Sequence, residues 1–509
     1  MDRTIVDDKI LFYGLLILLV FAPVYWGGNR GIPLLIMELG AVVLLARLAW
    51  RSLGSIQPLA LSWPVLCFLA GLVLLPLMQM VPVPLALWAD LPGREFYAEA
   101  LHLAGADGED FGWRAISLIP SATEATWLAL LPPVTVFLVA SELSGQRLLA
   151  LVRVFLGIAA AEALLGLIQY GDGPNSVFRL GNTWMGDSAS GTYMNRNHLA
   201  GLLEMALPLA LALLMATVGQ GLSHTGDSHG RRKQTFRQWL VRFSVSRIHS
   251  AVLYGAVALL ILLGLVFTRS RAGISLAMLG ILLCAALFSS QLGRRSGYGL
   301  MGSFAALGIG LAGLIGLAPV WSRFTYSDPV EDGRWRIIDA TLQAVGTFFP
   351  LGSGGGTFED VFRRFHPLDF PGVTVNRAHN DYLEWLLEYG LLAGLLIAVW
   401  LIFYLRQWRR VWVSGAWMPL RFAQVGSGIA LLLMMLHTLV DYNLRIPANA
   451  LFMALLAALF FHRANEAVVV GRTTVRRRRK SRRSRKDPTT APLPAREIPP
   501  ENRINPFAS

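Results

Sequence analysis

Apolar runs recur along the 509-residue chain near positions 10–26, 32–50, 61–80, 124–140, 148–169, 199–218, 250–268, 272–290, 299–318, 383–405, 422–440 and 444–462. Each is of the length, roughly 17 to 25 residues, that crosses a hydrocarbon core about 30 Å thick as a helix. The pattern predicts twelve membrane-spanning helices and an all-α polytopic fold. One long stretch, Ser322 to Gly390, interrupts it with six arginines (Arg323, Arg334, Arg336, Arg363, Arg364, Arg377) and two histidines (His366, His379). Within it, Arg334 to Pro350 reads as an amphipathic helix with apolar residues at 335, 338, 342 and 345. Gly352-Ser353-Gly354-Gly355-Gly356 then turns the chain, and Thr357-Phe358-Glu359-Asp360 begins a second short helix in the manner of a capping box. The glycine run lacks the Lys-Ser/Thr ending of a phosphate-binding loop.

Composition agrees with the pattern. Hydrophobic residues make up 54% of the chain and charged ones 15%, at a mean hydropathy of +0.51, which excludes an ordinary soluble domain of this size. The first run follows Asp2, Arg3, Asp7, Asp8 and Lys9, which is no basic leader, so it reads as an uncleaved anchor. With the N-terminus in the cytoplasm, inside segments hold 30 of the 45 lysines and arginines and outside segments 14; without the tail the balance is 17 to 14. Both termini are therefore expected inside and residues 319–381 outside. The two cysteines, Cys67 and Cys284, fall within runs and read as small apolar residues.

Residues 1–462 form the membrane domain on this reading, and 463–509 a disordered basic tail around Arg476-Arg477-Arg478-Arg479-Lys480. The tail, which carries much of the formal net charge of +13, is expected at anionic lipid of the inner leaflet rather than on nucleic acid. The loop from Gly219 to Ser250, with Arg231-Arg232-Lys233, reads as a further inner anchor. Residues 81–123 read as a structural cap with room for a short interfacial helix.

Polar residues gather at the outer ends of the predicted spans. Gly191-Thr192-Tyr193-Met194-Asn195-Arg196-Asn197-His198 opens the sixth span, where Asn195 or Asn197 can cap the helix. Two arginines, Arg269 and Arg271, occupy the tight turn between the seventh and eighth spans, where facing lipid would cost a few kcal/mol each. Glu38 and Glu204 fall in outer halves, Glu162 near mid-depth, and His437 and Asp441 end the eleventh span. At the start of the tenth, Asp381, Glu384 and Glu388 share a face behind His379. Their mutual repulsion requires arginines from elsewhere, and Arg196, Arg269, Arg271 and Arg445 are predicted at that height. An arginine cluster suits an anionic ligand, because the planar fork binds phosphate bidentately.

Four motifs in this order resemble the bacterial O-antigen ligase and polymerase superfamily, lipid-linked glycan transferases of the GT-C type. They are Asn195-Arg196-Asn197-His198-Leu199-Ala200-Gly201, Thr268-Arg269-Ser270-Arg271-Ala272-Gly273, the Arg334–Pro350 helix followed by Gly352-Ser353-Gly354, and His379-Asn380-Asp381-Tyr382-Leu383-Glu384. The resemblance covers roughly residues 190 to 440. It implies transfer of glycan from a polyprenyl diphosphate carrier to an acceptor hydroxyl at the outer face of the bacterial inner membrane, with no metal or other cofactor. No Asp-x-Asp motif stands in an outer loop, in agreement with that. By the same resemblance His379 is the general base; Arg196 with Arg269 or Arg271 holds the diphosphate; Asn195, His198, Asp381 and Glu384 complete the substrate site. The acceptor is a growing polysaccharide, lipid A core or a protein, between which the resemblance does not choose. A polytopic exporter or flippase of lipid-linked sugars, without covalent chemistry, is the alternative.

Overall fold

Eleven of the twelve apolar runs form helices in the computed structural model, which describes residues 3–53, 61–105, 112–182, 185–223, 245–292, 333–367, 374–413 and 417–463 and the isolated positions 302 and 306. The ninth run (299–318) apart from positions 302 and 306, the basic loop around Arg231 and the tail from residue 464 lie outside the described residues. In chain order the helices are α1 (Arg3–Phe21), α2 (Gly31–Leu53), α3 (Trp63–Gln79), α4 (Leu85–Ala89), α5 (Glu95–Leu103), α6 (Pro120–Ser141), α7 (Gly145–Asp172), α8 (Arg196–Ser223), α9 (Val245–Phe267), α10 (Arg271–Leu292), α11 (Arg334–Phe348), α12 (Phe358–Phe365), α13 (Asp381–Val413), α14 (Pro419–His437) and α15 (Pro447–Phe461). Eight are long and apolar enough to cross a membrane, and α1, α3 and α15 contribute shorter apolar stretches.

Helix α8 is apolar all round, and its span is buried throughout. A helix without a polar stripe has to be enclosed by others, and α14, α9, α10 and α7 enclose it. Small residues set the spacing: a Cβ at Gly264 would stand 2.6 Å from that of Ala163, and one at Gly426 2.9 Å from that of Ala212. Close backbone approach of this kind supplies the packing that holds helices together where burial from water is not the driving force. A second group gathers on α6, against which α2, α3 and α15 pack, and the α14–α15 pair joins the two groups.

The expected all-α architecture carries one small addition. The segment between α3 and α6 holds a short antiparallel ribbon, Pro82–Pro84 (β1) with Trp113–Ala115 (β2). Around the ribbon, buried Arg94 donates to Ile116 O at 2.7 Å and to Gly352 O at 3.2 Å, and Leu118 N donates to Ser353 O at 2.9 Å, which ties this segment to the glycine run.

Helix α13 is broken, which the continuous run 383–405 does not foretell. Gly390 adopts φ 58° and ψ −139°, dividing Asp381–Tyr389 from the long apolar remainder. The carbonyls released at the break accept from the glycine run: Ser353 N donates to Leu387 O and Gly354 N to Glu388 O, both at 2.9 Å, while Leu391 N donates to Pro350 O at 2.9 Å. Gln79 Nε2 adds a bond to Glu388 O at 2.8 Å. The glycines are therefore a splice into the broken helix rather than a free turn, and a Cβ at Gly352 would lie 2.4 Å from Glu388 O. The expected capping box at Thr357 does not form either. Its hydroxyl donates to Gly354 O at 2.7 Å and pairs with Ser353 Oγ, tying the run to itself.

Candidate active site

The ends of α8, α9, α13 and α14 that carry the predicted polar residues meet at one end of the bundle. At the start of α13, Asn380 is the cap: its Oδ1 accepts from Tyr382 N at 3.0 Å and Leu383 N at 3.1 Å. That leaves His379 free of the capping duty, held at φ 50° in the left-handed region. A non-glycine residue there stores strain and stays only where its surroundings hold it. His379 Nδ1 faces Asp441 Oδ1 at 3.4 Å, and its ring meets Tyr442 edge-on, centroids 5.0 Å apart.

Asp441 is buried, and its hydrogen-bond and ion-pair partners stabilise its charge. Asn197 Nδ2 donates to Oδ2 at 2.7 Å, Arg334 Nη2 stands 3.5 Å from the same oxygen, and Tyr442 N donates to Oδ1 at 2.9 Å. Burial alone would raise its pKa, but the Arg334 guanidinium and the bond to His379 outweigh it and hold the carboxyl well below the usual range. Tyr442 goes the other way: burial, then the charge of Asp441, pushes its phenol up to about 12, so it remains a neutral hydroxyl at physiological pH. His198 meets the same tyrosine edge-on, centroids 4.7 Å apart, so the two histidines flank one ring.

The remaining predicted residues fall into separate groups. Arg269, at φ 56°, donates from Nη1 to Asp187 Oδ2 at 2.5 Å and to Asp187 O at 2.9 Å, and Arg196 Nη1 lies 3.6 Å from Asp187 Oδ1. Ser270 caps α10, its Oγ accepting from Gly273 N at 3.2 Å. Asn195 caps α8, as expected, through Asn197 N at 2.9 Å. Arg271 lines a cavity of about 270 Å³ with Asn197, Arg334, Trp335, Ile338 and Val440, and Asn197 and Arg334 of this set both touch Asp441. A larger cavity of about 370 Å³ is lined by Asn195, His198 and Tyr442, so the two cavities flank the Asp441 cluster.

Glu384 and Asp381 are engaged with the protein itself. Glu384 Oε1 pairs with Arg377 at 2.9 Å and Arg445 at 3.1 Å, Oε2 accepts from Ala378 N at 3.0 Å, and Arg445 also meets Glu388. Arginines thus meet the shared acidic face, as its charge required, though only Arg445 of the four foreseen does so. Asp381 accepts from Leu444 N at 3.0 Å and its own N–H donates to Thr438 O at 3.0 Å, which latches α13 to the α14–α15 connection.

Parts of the segment before α8 are held by partners that the sequence conceals. Buried Arg179 donates to the carbonyls of Gln169, Gly173, Met185, Gly186 and Ser188 at 2.8 to 3.2 Å. Gln169 Oε1 accepts from Ser190 N and Gly191 N, and Glu162, expected at mid-depth, accepts from Thr192 N and Oγ1, both at 2.8 Å. These bonds fix the backbone that carries Asp187. No group of three or more His, Cys, Asp or Glu residues with a metal-holding arrangement stands among the described residues.

Residues 256–398 match the family model described as O-Antigen ligase. The matched stretch takes in Arg269, Arg271, Arg334, the glycine run and His379, and it leaves Arg196, His198 and Asp441 outside. No curated protein matches the chain. The match supports the resemblance of the four motifs to the O-antigen ligase and polymerase superfamily, and with it glycan transfer of the O-antigen ligase type in general.

Proposed function

We propose that this protein is an O-antigen ligase-like enzyme that transfers or polymerises glycan from a polyprenyl-diphosphate-linked donor onto an acceptor hydroxyl at the periplasmic face of the bacterial inner membrane, metal-independent and of the GT-C type. Both termini are cytoplasmic on this reading, and the tail from residue 463 rests on anionic lipid. The observation that carries the proposal is the contact of His379 with Asp441, beside a cavity that Arg271 and Arg334 line.

With Asp441 on Nδ1, the imidazole is oriented so that Nε2 takes the proton of an acceptor hydroxyl, the arrangement by which a buried carboxylate sets a histidine's tautomer. As the acceptor oxygen bonds to the anomeric carbon, the bond from that carbon to the diphosphate oxygen breaks and its electron pair leaves with the carrier. The guanidinium groups of Arg271 and Arg334 oppose the growing charge, joined by Arg196 and Arg269 where the diphosphate replaces Asp187 as their partner. Trp335 and Ile338, on the same cavity as the two arginines, suit the first isoprene units of the carrier. The acceptor is a growing polysaccharide, lipid A core or a protein.

Purified protein in nanodiscs, given a polyprenyl diphosphate glycan and each acceptor in turn, should release polyprenyl diphosphate and form a glycosidic product. Transbilayer movement of the lipid-linked sugar with no covalent product would overturn the reading in favour of an exporter. A product lengthened on the carrier identifies a polymerase, and one joined to lipid A core or protein a ligase.

A further inference from the structure

The larger cavity differs in chemistry from its neighbour. Where the smaller one has two arginines, Arg271 and Arg334, this one has a single cation, Arg30, which lies over the Trp26 indole, and three side-chain amides, Asn29, Asn195 and Asn376, together with Trp26, His198 and Tyr442. Each amide offers both donors and acceptors, which is what vicinal hydroxyl groups require of a partner. Met185, Met194 and Ile446 complete the wall with apolar surface of the kind that the C–H face of a sugar ring packs against. Two of the lining residues each carry a buried polar atom without a hydrogen bond among the described residues, Trp26 Nε1 and His198 Nε2. A buried donor left in this state costs about 1–3 kcal/mol, so its presence beside a cavity points to a ligand that completes it.

The turn that brings Trp26 here is built for the purpose. Trp26, Gly27 and Gly28 all have positive φ, at 54°, 65° and 76°. Arg30 lies 3.6 Å over the indole and Tyr25 stacks beside it, fixing the ring. A Cβ at Gly27 would meet the Tyr193 ring at 2.7 Å and Ile446 at 2.9 Å, so the turn is pressed onto the segments that enter α8 and α15. A tryptophan in the left-handed region is costly, of order 1–3 kcal/mol, and this one lines the cavity.

We propose that this cavity is a glycan subsite, with Asn29, Asn376, Trp26 Nε1 and His198 Nε2 reading the hydroxyl groups of one sugar unit next to His379. The volume of about 370 Å³ lies within the range of roughly 300–1,000 Å³ typical of small-ligand sites. The assignment rests on the glycosyl-transfer reading above. It extends the site to the α1–α2 connection, which lies far outside the matched residues 256–398.

The test uses the full chain in nanodiscs and two soluble probes: the oligosaccharide that mild acid releases from the lipid-linked pool of the expressing bacterium, and inorganic diphosphate. Saturation-transfer NMR should show the oligosaccharide bound to the wild type. Asn29→Ala, Asn376→Ala and Trp26→Phe should each weaken it about tenfold, the loss of one or two hydrogen bonds, without changing diphosphate affinity. Arg271→Ala should do the reverse. Asn29 is exposed, so Asn29→Ala serves where another variant fails to fold, as judged by thermal unfolding. If intact donor displaces the oligosaccharide, the cavity receives the donor's own glycan; if both bind together, it receives the acceptor's. Oligosaccharide binding that is absent, or indifferent to all three substitutions, while diphosphate binding still depends on Arg271, would overturn the subsite and leave the transfer reading standing. Loss of both binding activities in the folded wild type would remove that reading as well.

Discussion

His379 and Asp441, 62 residues apart in sequence, face each other at 3.4 Å from Nδ1 to Oδ1 across the junction of α13 with the segment after α14. The histidine side chain is 21% exposed and the aspartate fully buried, so one partner is reachable by substrate and the other is not. If the histidine removes the acceptor proton, His379→Ala should lower single-turnover rate by roughly 10²- to 10⁴-fold with donor affinity nearly unchanged. Turnover near the wild-type rate in a folded variant would place the base elsewhere.

The Asp441 carboxylate gives the protein an acid limb whose sign is fixed. Its native pKa is depressed, so its contribution to stability is complete above the unfolded value of about 3.9 and is lost as pH falls through the native value. Asp441→Asn should lower Tm at neutral pH, and the gap to wild type should persist down to about pH 4 and close only below it. Thermal unfolding in detergent across pH 3 to 7 measures this. A gap that closes between pH 5 and 7 would contradict the depressed value.

Glu384 tests whether an acid predicted at the substrate site acts there or in the scaffold. Its two oxygens are taken by Arg377, Arg445 and Ala378 N. Removing Arg445 strands Glu384 and Glu388 as buried charges, a loss of about 3–5 kcal/mol. Arg445→Ala should therefore abolish a monodisperse size-exclusion peak, and Glu384→Gln should lower Tm while leaving diphosphate affinity intact. A fall in affinity at unchanged Tm would return Glu384 to the substrate.

Gly390→Ala should be more damaging than an ordinary glycine substitution in a helix, which costs nothing or stabilises. At φ 58° the new Cβ would stand 2.0 Å from Pro350 O, so the splice with the glycine run has to open. Limited proteolysis between α12 and α13 should become faster in this variant. Unchanged cleavage would mean that the break tolerates a side chain.

Sidedness can be read by cysteine labelling in a Cys67- and Cys284-free background. Ser353 is a poor reporter because it is buried and bonded to Thr357, whereas Glu359 on α12 is exposed. An impermeant reagent should reach Glu359→Cys in intact cells and spare Ser484→Cys. Labelling of both to the same extent would refute the proposed orientation.

The apolar helices were legible because a hydrocarbon core enforces length and apolarity, and the end of the bundle that carries the candidate site was legible because Arg196, Arg269 and His379 interrupt that pattern at helix ends. Their partners were not. Asp441 was visible only as an acid closing a span, and the Asn197 bond that fixes it joins residues 244 positions apart. Asp187 lies in a polar loop, where one more acid draws no notice. The break at Gly390 was hidden by its surroundings, since a glycine within an apolar run reads as an uninterrupted span. Trp26 was overlooked for the opposite reason: an aromatic at a span end reads as an interfacial anchor.

The five carbonyls gathered on Arg179 constrain how this protein can diverge. A guanidinium has a fixed shape, so the carbonyls of Gly173, Met185, Gly186 and Ser188 are set around it, and inserting or deleting one residue would carry several acceptors out of register together. Variation in this region is thereby confined to exchange of side chains on an unchanging path. A library that seeks altered glycan preference should randomise positions such as Met185 and Met194 at constant loop length, and grafted loops of other lengths should yield inactive chains.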